Sequence, residues 1–189
     1  EVYDAVMAKW QGYEELHQVI QNGVPHYGNN NPEADQFVHW VAQVYGDAVN
    51  SVRGPRGRWS AGLYPLTINI VLGWGTWPSP DGRKPGEPLA DGISPVQGMD
   101  KSGPLACLNS VLHFDQTEFA NGTLLNMKFH PTALSGANGL EKLKAVMNTY
   151  FDRGGMEMQL NIVDGKTLRD AQEHPENYKD LVVRVAGFS

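Results

Sequence analysis

The chain has 189 residues, a formal net charge of -6 at pH 7 and a sequence pI near 5.4. This length permits one domain with a sizeable hydrophobic core, and the acidic balance argues against a protein that binds nucleic acid through a broad positive field. The single cysteine excludes an internal disulfide, and no apolar run reaches the roughly 18 residues that span a bilayer, so we expect a cytoplasmic protein that does not bind a membrane.

Two amphipathic helices are predicted in the first quarter of the chain. The first ends at Asn22 and Gly23, and its apolar residues recur three or four positions apart. These residues are Val6, Trp10, Tyr13, Leu16 and Ile20. The second begins at the N-cap residue Asn31, with Pro32 in its first turn. Its predicted buried stripe consists of Phe37, Val41, Val44, Tyr45 and Val49.

A loop, a strand and a long irregular stretch are predicted next. Residues 53–59, which include Arg58, form the predicted loop. Apolar residues alternate with other residues between Leu66 and Leu72, which predicts a strand that runs into Gly73. Residues 78–103 carry so many prolines and glycines that we expect no regular element there.

The remaining part of the chain alternates predicted helices and strands. A helix is expected over residues 106–112, and a strand follows in which Leu125, Met127 and Phe129 share one face. The next helix begins with Asn138 and Glu141 in the spacing of a capping box. Its predicted buried stripe consists of Leu140, Leu143, Met147 and Tyr150.

The strand predicted at residues 156–162 has the clearest alternation in the chain. One face carries Met156, Met158, Leu160 and Ile162. The other face carries Glu157, Gln159 and Asn161. A helix packed on the apolar face would turn the polar face toward a cavity or toward water. Strands alternating with helices predict an α/β fold, and we find no internal repeat or linker that supports a second domain.

Two segments carry a recognisable motif. Residues 79–104 run from Ser-Pro-Asp-Gly to Gly-Met-Asp-Lys-Ser-Gly-Pro, and the chain closes on Arg-Val-Ala-Gly-Phe at residues 184–188. Together they resemble the glycyl radical enzymes. Residues 121–129 and 159–164 also look like that family, so the resemblance covers nearly the whole chain. It is most similar to the branch with the diol dehydratases, choline trimethylamine-lyase and isethionate sulfite-lyase, a branch related to pyruvate formate-lyase.

The resemblance implies that Gly187 stores the radical. An amide nitrogen and a carbonyl flank this Cα, and only a residue without Cβ lets a radical centre become planar without a clash. A cysteine on a facing loop would give its hydrogen to Gly187, and the resulting thiyl radical would abstract hydrogen from the substrate. Arg184, Phe188 and Gln159 are the implied neighbours of the radical loop.

The resemblance also implies a fold for this chain. The fold is part of a ten-stranded β/α barrel with the radical loop in its lumen. We divide the chain into helices that lead into the barrel (residues 1–60), half of the barrel (61–183) and a truncated radical loop (184–189).

The implied partners follow from the radical chemistry. No cofactor is expected to be bound permanently, because a separate activating enzyme with S-adenosylmethionine and a [4Fe-4S] cluster installs the radical. The other expected partners are a small-molecule substrate, the remainder of a longer enzyme and a second copy in a homodimer.

The implied function is that of the C-terminal part of a lyase or dehydratase that cleaves a carbon–heteroatom bond. Alternatives are a decarboxylase or a fumarate-adding synthase of the same family, or a stand-alone radical-bearing repair module. The Cys-x-Glu loop of the family is absent, and Cys107 lies on an apolar stretch, where we predict a buried structural thiol. We therefore expect a C-terminal fragment that is inactive alone.

The remaining candidates are Arg58 and the histidines. In some family members an arginine just before this strand meets an anionic substrate, so Arg58 is a candidate substrate ligand, with an ordinary loop charge as the alternative. Arginine and tryptophan at residues 56–59 also suggest nucleic-acid contacts, yet three arginines in an acidic chain favour loop charges. The six histidines show no metal-ligand spacing, so no metal site is expected.

Overall fold

The computed structural model describes residues 1–64 and 68–181. The helices are α1 (Val2–Met7), α2 (Glu14–Asn22), α3 (Pro32–Ser51), α4 (Asn69–Gly75), α5 (Pro104–Val111), α6 (Gly139–Asp152) and α7 (Gly165–Glu173). The strands are β1 (Arg53–Gly54), β2 (Gly57–Arg58), β3 (Leu124–Phe129) and β4 (Glu157–Ile162). Single 3-10 turns lie at Gln116–Glu118, Pro131–Leu134 and Pro175–Asn177. None of the helices within these ranges has both the length and the apolar character that a membrane crossing requires.

The parallel strands β3 and β4 form the centre of the fold. Their register pairs Leu125 with Met158 and Asn126 with Gln159. Because residues in register point to the same side, one face of the pair is apolar and the other is polar, as the sequence predicts. Helix α6 connects the two strands, which gives the β-α-β unit typical of parallel sheets. The described residues thus have the predicted mixture of helices and strands.

The apolar face of β3 and β4 belongs to one buried cluster with helices α5 and α6. Leu125 has no exposed surface, and neither do Leu108 and Val111 of α5 or Tyr150 of α6. Full burial of one such side chain stabilises the folded state by about 1.5–3 kcal/mol. The helix predicted at 106–112 and the strand with Leu125, Met127 and Phe129 on one face are confirmed.

A buried hydrogen-bond network lies where β3 and β4 begin. The side-chain oxygen of Gln116 accepts from Thr123 Oγ1 at 2.7 Å and lies 2.9 Å from the Tyr150 hydroxyl, which is also 3.0 Å from the Glu157 carbonyl. A Cβ at Gly155 would lie 2.5 Å from the Tyr150 ring, so only glycine fits at this position. The network ties both strand starts to α6.

The first helix differs from the prediction, because the chain breaks between α1 and α2. Lys9 and Trp10 have positive φ angles of 55° and 67°. The Trp10 side chain is buried, and its Nε1 donates to the Arg83 carbonyl at 3.3 Å. Burial of a large aromatic ring against the 79–83 segment therefore overrides the helical spacing of the sequence.

Helix α3 has the predicted start but a different buried face. The Asn31 side chain accepts from the Glu33 amide at 2.9 Å, which confirms the cap. Of the predicted stripe only Val49 packs against the core, while Phe37, Val41, Val44 and Tyr45 are exposed. The buried residues are Asp35, Ala42 and Gly46. Small residues allow this helix to pack close to the core. At Gly46, for example, an added Cβ would lie 3.2 Å from the Phe119 ring.

The strand predicted at 66–72 is wrong for the residues that the structure describes. Residues 69–75 form α4, and Leu66 lies outside the described ranges. Asn69 is buried and exchanges hydrogen bonds with Leu89, with its amide nitrogen Nδ2 3.3 Å from the Leu89 carbonyl. A Cβ at Gly73 would lie 2.4 Å from the Glu87 carbonyl oxygen. Contacts with the 87–89 segment thus select the helix despite the strand-like alternation.

Three smaller predictions have mixed outcomes. The loop at 53–59 contains the antiparallel hairpin of β1 and β2, with Arg53 in register with Arg58. Asn138 precedes α6 but makes no side-chain cap hydrogen bond, and Leu140 of the predicted stripe is 74% exposed. Residues 78–103 contain no helix or strand, as predicted.

Buried side chains order this irregular stretch. The guanidinium of Arg83 is buried and donates to Ser79 Oγ and to main-chain carbonyls on both sides of the loop. These carbonyls belong to Thr76, Trp77, Lys84 and Glu87. Side-chain bonds to the main chain replace the ladders of regular structure here.

The two faces of β4 generate a prediction for Met158→Asp in the full-length protein. Met158 packs against the core, so a carboxylate there should lower the free energy of unfolding by about 2 kcal/mol or more. Ile162 lies on the same face but is 45% exposed, so Ile162→Asp should cost less than about 1 kcal/mol. Thermal unfolding monitored by circular dichroism measures both. Parental stability in Met158→Asp would mean that the faces of β4 are assigned the wrong way round.

Candidate functional site

The polar face of the β3–β4 pair is the candidate functional site. Alternation places Asn126 and Lys128 of β3 on this face, and the register places Gln159 and Asn161 of β4 beside them. Asn126 and Asn161 are buried, and Gln159 is half-buried. Two buried asparagine side chains on one side of a two-stranded sheet are unusual for a face that would simply meet solvent.

The 91–94 segment covers one edge of this face. The Asn126 amide nitrogen Nδ2 donates to Asp91 Oδ2 at 2.7 Å, and both residues are buried. Ser94 Oγ accepts from the Asn126 main-chain nitrogen at 2.9 Å and donates to its carbonyl at 3.2 Å. A Cβ at Gly92 would lie 2.2 Å from the Leu124 carbonyl oxygen, and its φ is +62°, so only glycine fits there.

Two buried amide atoms on this face have no hydrogen-bond partner in the described structure. They are Oδ1 of Asn126 and Nδ2 of Asn161. One is an acceptor and the other is a donor. Since buried polar atoms in native proteins are nearly always paired, these two atoms mark places on this face where a water molecule or another polar group can bind.

Charged groups lie at the rim of the polar face. Desolvation by neighbouring atoms lowers the pKa of Lys128, and the carboxylates of Asp100 and Asp91 oppose that shift. Desolvation also raises the pKa of Asp100, while Lys128 acts in the opposite direction. The positive charge of Lys128, near the end of β3, therefore interacts with the nearby carboxylates of Asp100 and Asp91.

A cavity of about 730 Å³ opens beside β3 and is lined in part by Asp100, Cys107 and Lys128. Cys107 is 2% exposed, so its predicted burial is confirmed. Desolvation raises the pKa of the Cys107 thiol to about 12, and the carboxylates of Asp100 and Asp35 act in the same direction. The thiol is therefore protonated near neutral pH and lacks the thiolate that a nucleophile needs.

The structure describes only two of the other predicted site residues, Arg58 and Gln159. Gly187, Arg184 and Phe188 lie outside the described residues. Arg58 is exposed on the β1–β2 hairpin, across from Arg53, whereas Gln159 lies on the polar face of β4. In the ranges 1–64 and 68–181, no three histidine, cysteine, aspartate or glutamate side chains are grouped so that they could hold a metal ion.

Sequence reasoning missed Asp91, Ser94 and Arg83, the buried polar residues of the irregular stretch. It predicted no regular element in residues 78–103 and used residues 79–104 as a family motif, without assigning a buried role to any side chain there. A signal was present, because Asp91 and Ser94 flank a glycine in a segment that also contains the apolar residue Ile93. Such a segment is typical of an ordered loop with a buried side.

Two family models match the chain. The model described as "Glycine radical" matches residues 89–189, and the one described as "Pyruvate formate lyase-like" matches residues 1–73. The first match alone covers more than half of the chain. It includes the whole polar face of β3 and β4 together with the Arg184–Phe188 segment.

Curated relatives match over nearly all of the chain. It is 36% identical to (2S)-3-sulfopropanediol dehydratase of Klebsiella oxytoca, over 100% of this chain and 24% of that protein. It is 41% identical to indoleacetate decarboxylase of Tractidigestivibacter scatoligenes, over 96% of this chain and 21% of that protein. The chain therefore spans less than a quarter of the length of these relatives.

Solved structures agree with these matches. One solved structure, from a study of 1,2-propanediol dehydration in Roseburia inulinivorans, is 47% identical to this chain. Its TM-score is 0.88, and the match covers 94% of this chain and 22% of that one. The B12-independent glycerol dehydratase of Clostridium butyricum is 45% identical, with a TM-score of 0.91 over 96% of this chain and 23% of that one. Sequence and backbone agree on one assignment: the chain belongs to the glycyl radical enzyme family.

Proposed function

We propose that the chain is the C-terminal, radical-bearing part of a lyase or dehydratase that cleaves a carbon–heteroatom bond of a small substrate. The observation that carries this proposal is the "Glycine radical" match, which extends over residues 89–189 and so includes Gly187. The dehydratases among the relatives, one of them aligned over the whole chain, support the reaction class.

The proposed chemistry divides the work between Gly187 and the rest of a full-length enzyme. The Gly187 Cα radical takes a hydrogen atom from a cysteine thiol on a facing loop, and the thiyl radical then takes a hydrogen atom from a substrate carbon. Cys107 does not fit this role, because it is buried among the core residues Leu108 and Val111. The reactive cysteine therefore belongs to another part of the protein, and the chain alone is inactive.

The proposed architecture follows from the same family. The β3-α6-β4 unit is one repeat of a ten-stranded β/α barrel, with its polar face toward the lumen and the radical loop inside. Gln159 is then a neighbour of that loop, together with Arg184 and Phe188. A separate activating enzyme with S-adenosylmethionine and a [4Fe-4S] cluster installs the radical, and the full-length protein forms a homodimer.

A decarboxylase is the second candidate, because the indoleacetate decarboxylase is 41% identical to the chain. The structures at 45% and 47% identity concern dehydration of glycerol and 1,2-propanediol, which favours a dehydratase. A radical-bearing repair module would share the Gly187 chemistry without turning over a substrate itself.

An activity assay separates these candidates. Activated, oxygen-free full-length protein should convert 1,2-propanediol or glycerol into an aldehyde and water, and should release no carbon dioxide from indoleacetate. Aldehyde formation is followed with a coupled alcohol dehydrogenase. Carbon dioxide release without aldehyde formation would select the decarboxylase, and neither product from any of the three compounds would count against both enzymes.

The radical assignment predicts an electron paramagnetic resonance doublet after anaerobic activation of the full-length protein. The one hydrogen left on the Gly187 Cα splits the signal, so deuterated glycine should collapse the doublet. Gly187→Ala should remove the signal and the activity while the circular dichroism spectrum stays unchanged. Full activity in Gly187→Ala would reject Gly187 as the site of the radical.

Arg58 is proposed to bind an anionic group of the substrate. Arg58→Lys keeps the charge but loses the two-pronged contact, so KM for a sulfonated propanediol should rise about tenfold. KM for neutral glycerol should not change. Arg53→Lys, on the neighbouring strand of the same hairpin, is the matched control and should leave both values unchanged. Equal KM values in Arg58→Lys and the parent would mark Arg58 as an ordinary loop charge.

A further inference from the structure

We propose that the outer face of helix α3 binds a segment of the preceding part of the full-length polypeptide, and that this segment carries apolar side chains flanked by lysine or arginine. The outer face consists of Phe37, Trp40, Val41, Val44 and Tyr45. The inference rests on the proposed function in one respect, namely that the chain is the C-terminal part of a longer enzyme.

Helix α3 has apolar residues on two neighbouring faces. Its inner face packs against the core of this chain through Ala42 and Val49. The five residues of the outer face recur three or four positions apart and are between 42% and 64% exposed. A surface helix needs one apolar face, whereas a helix that is apolar around most of its circumference is buried on more than one side. The described residues leave the outer face uncovered, so a second surface is needed to bury it.

The outer face of α3 forms one wall of a groove. The groove has a volume of about 850 Å³. Phe37, Val41 and Tyr45 line it from α3, and the opposite wall contains Tyr64, Ile93 and Met99. Apolar grooves of this kind bind the apolar face of an amphipathic helix in many complexes. The groove therefore accepts a polypeptide segment with large apolar side chains.

The charges beside the groove are negative. Helix α3 contains no lysine or arginine, and its carboxylates Glu33 and Asp47 are exposed. Gln43 Nε2 donates to Asp47 Oδ1 at 3.2 Å and to Glu118 Oε2 at 3.3 Å, which brings another carboxylate to this edge. Asp81 is part of the groove lining. A segment that binds here therefore presents lysine or arginine next to its apolar side chains.

These charges argue against a second copy of this chain as the occupant. A two-fold contact uses the same surface on both copies, so α3 would pair with α3 of the second copy. Glu33 lies in the first turn of the helix, and Asp47 lies toward its end. Parallel helices would bring each carboxylate near its own equivalent, and antiparallel helices would bring Glu33 near Asp47. Like charges would meet in both arrangements.

The remainder of a longer polypeptide can supply the occupant. The chain spans 24% of the sulfopropanediol dehydratase and 23% of the glycerol dehydratase. Helix α3 lies within the "Pyruvate formate lyase-like" match, and Ile93 and Met99 lie within the "Glycine radical" match, so the groove is the seam between the two matched regions. A segment of the same polypeptide keeps five large apolar side chains out of water permanently, whereas a transient partner would leave them exposed.

Cysteine labelling of the full-length protein tests whether the outer face is covered. Val41→Cys places a thiol in the groove, and His39→Cys places one on the opposite, exposed side of α3. A maleimide should modify the thiol of Val41→Cys about 100-fold more slowly than that of His39→Cys. Peptide mass spectrometry separates these thiols from the other cysteines. Equal rates would overturn the inference, because both positions are exposed in the chain by itself.

Photo-crosslinking identifies the occupant. Phe37→p-benzoylphenylalanine keeps an aromatic side chain at the groove of the purified full-length protein. Illumination should give a product of monomer mass on a denaturing gel, with residue 37 joined to a peptide that precedes this chain. His39→p-benzoylphenylalanine is the matched control and should not join that peptide. A product of twice the monomer mass, a product joined only within residues 1–189, or no product would each overturn the proposed occupant.

Charge reversal tests the chemistry of the occupant. Asp47→Lys, combined with Val41→Cys, should speed maleimide labelling about tenfold, because the new lysine repels a basic flank. Asp152→Lys, at the exposed end of α6, is the matched control and should leave the rate unchanged. An unchanged rate in Asp47→Lys would reject the basic flank.

None of these measurements needs the radical or a substrate. Absence of a doublet in the parent would defeat the radical assignment but leave the labelling and cross-linking results valid. A Gly187-dependent doublet together with rapid labelling of Val41→Cys would preserve the proposed function and reject the role of the α3 groove.

Discussion

The parallel pairing of β3 and β4 is the constraint on which the rest of the structure depends. Its register puts Leu125 beside Met158 and Asn126 beside Gln159, so a single set of main-chain hydrogen bonds decides both faces at once. The apolar face forms the core with α5 and α6, and the polar face forms the candidate site. A shift of one strand by one residue would exchange the two faces, so the core fixes the site geometry.

Polar side chains organise the irregular stretch that borders this site. Arg83 gathers main-chain carbonyls from both sides of its loop, and Asp91 and Ser94 bind Asn126 of the sheet. Each of these groups is buried, so leaving one unpaired would cost about 1–3 kcal/mol. A stretch rich in proline and glycine can therefore hold one conformation without forming a helix or a strand.

Sequence patterns predicted β3, β4, α5 and the start of α3, because in each case the local pattern and the tertiary contacts agree. They failed where a contact distant in sequence decides the conformation. Asn69 and Gly73 form a helix against the 87–89 segment despite strand-like alternation. Trp10 leaves its helix to bury its ring, and α3 turns small residues rather than its large apolar stripe toward the core. The polar face of β4 was predictable from alternation. Asp91, the hydrogen-bond partner of Asn126 on β3, was not, because a loop supplies it.

The burial of Cys107 has a consequence for the response of this part of the protein to oxidants. Burial raises the pKa of the Cys107 thiol to about 12, so the thiol stays protonated near pH 7. Peroxides react with the thiolate and need access to the sulfur, and Cys107 offers neither. With respect to oxidative damage, this sulfur behaves like one more hydrocarbon group of the core.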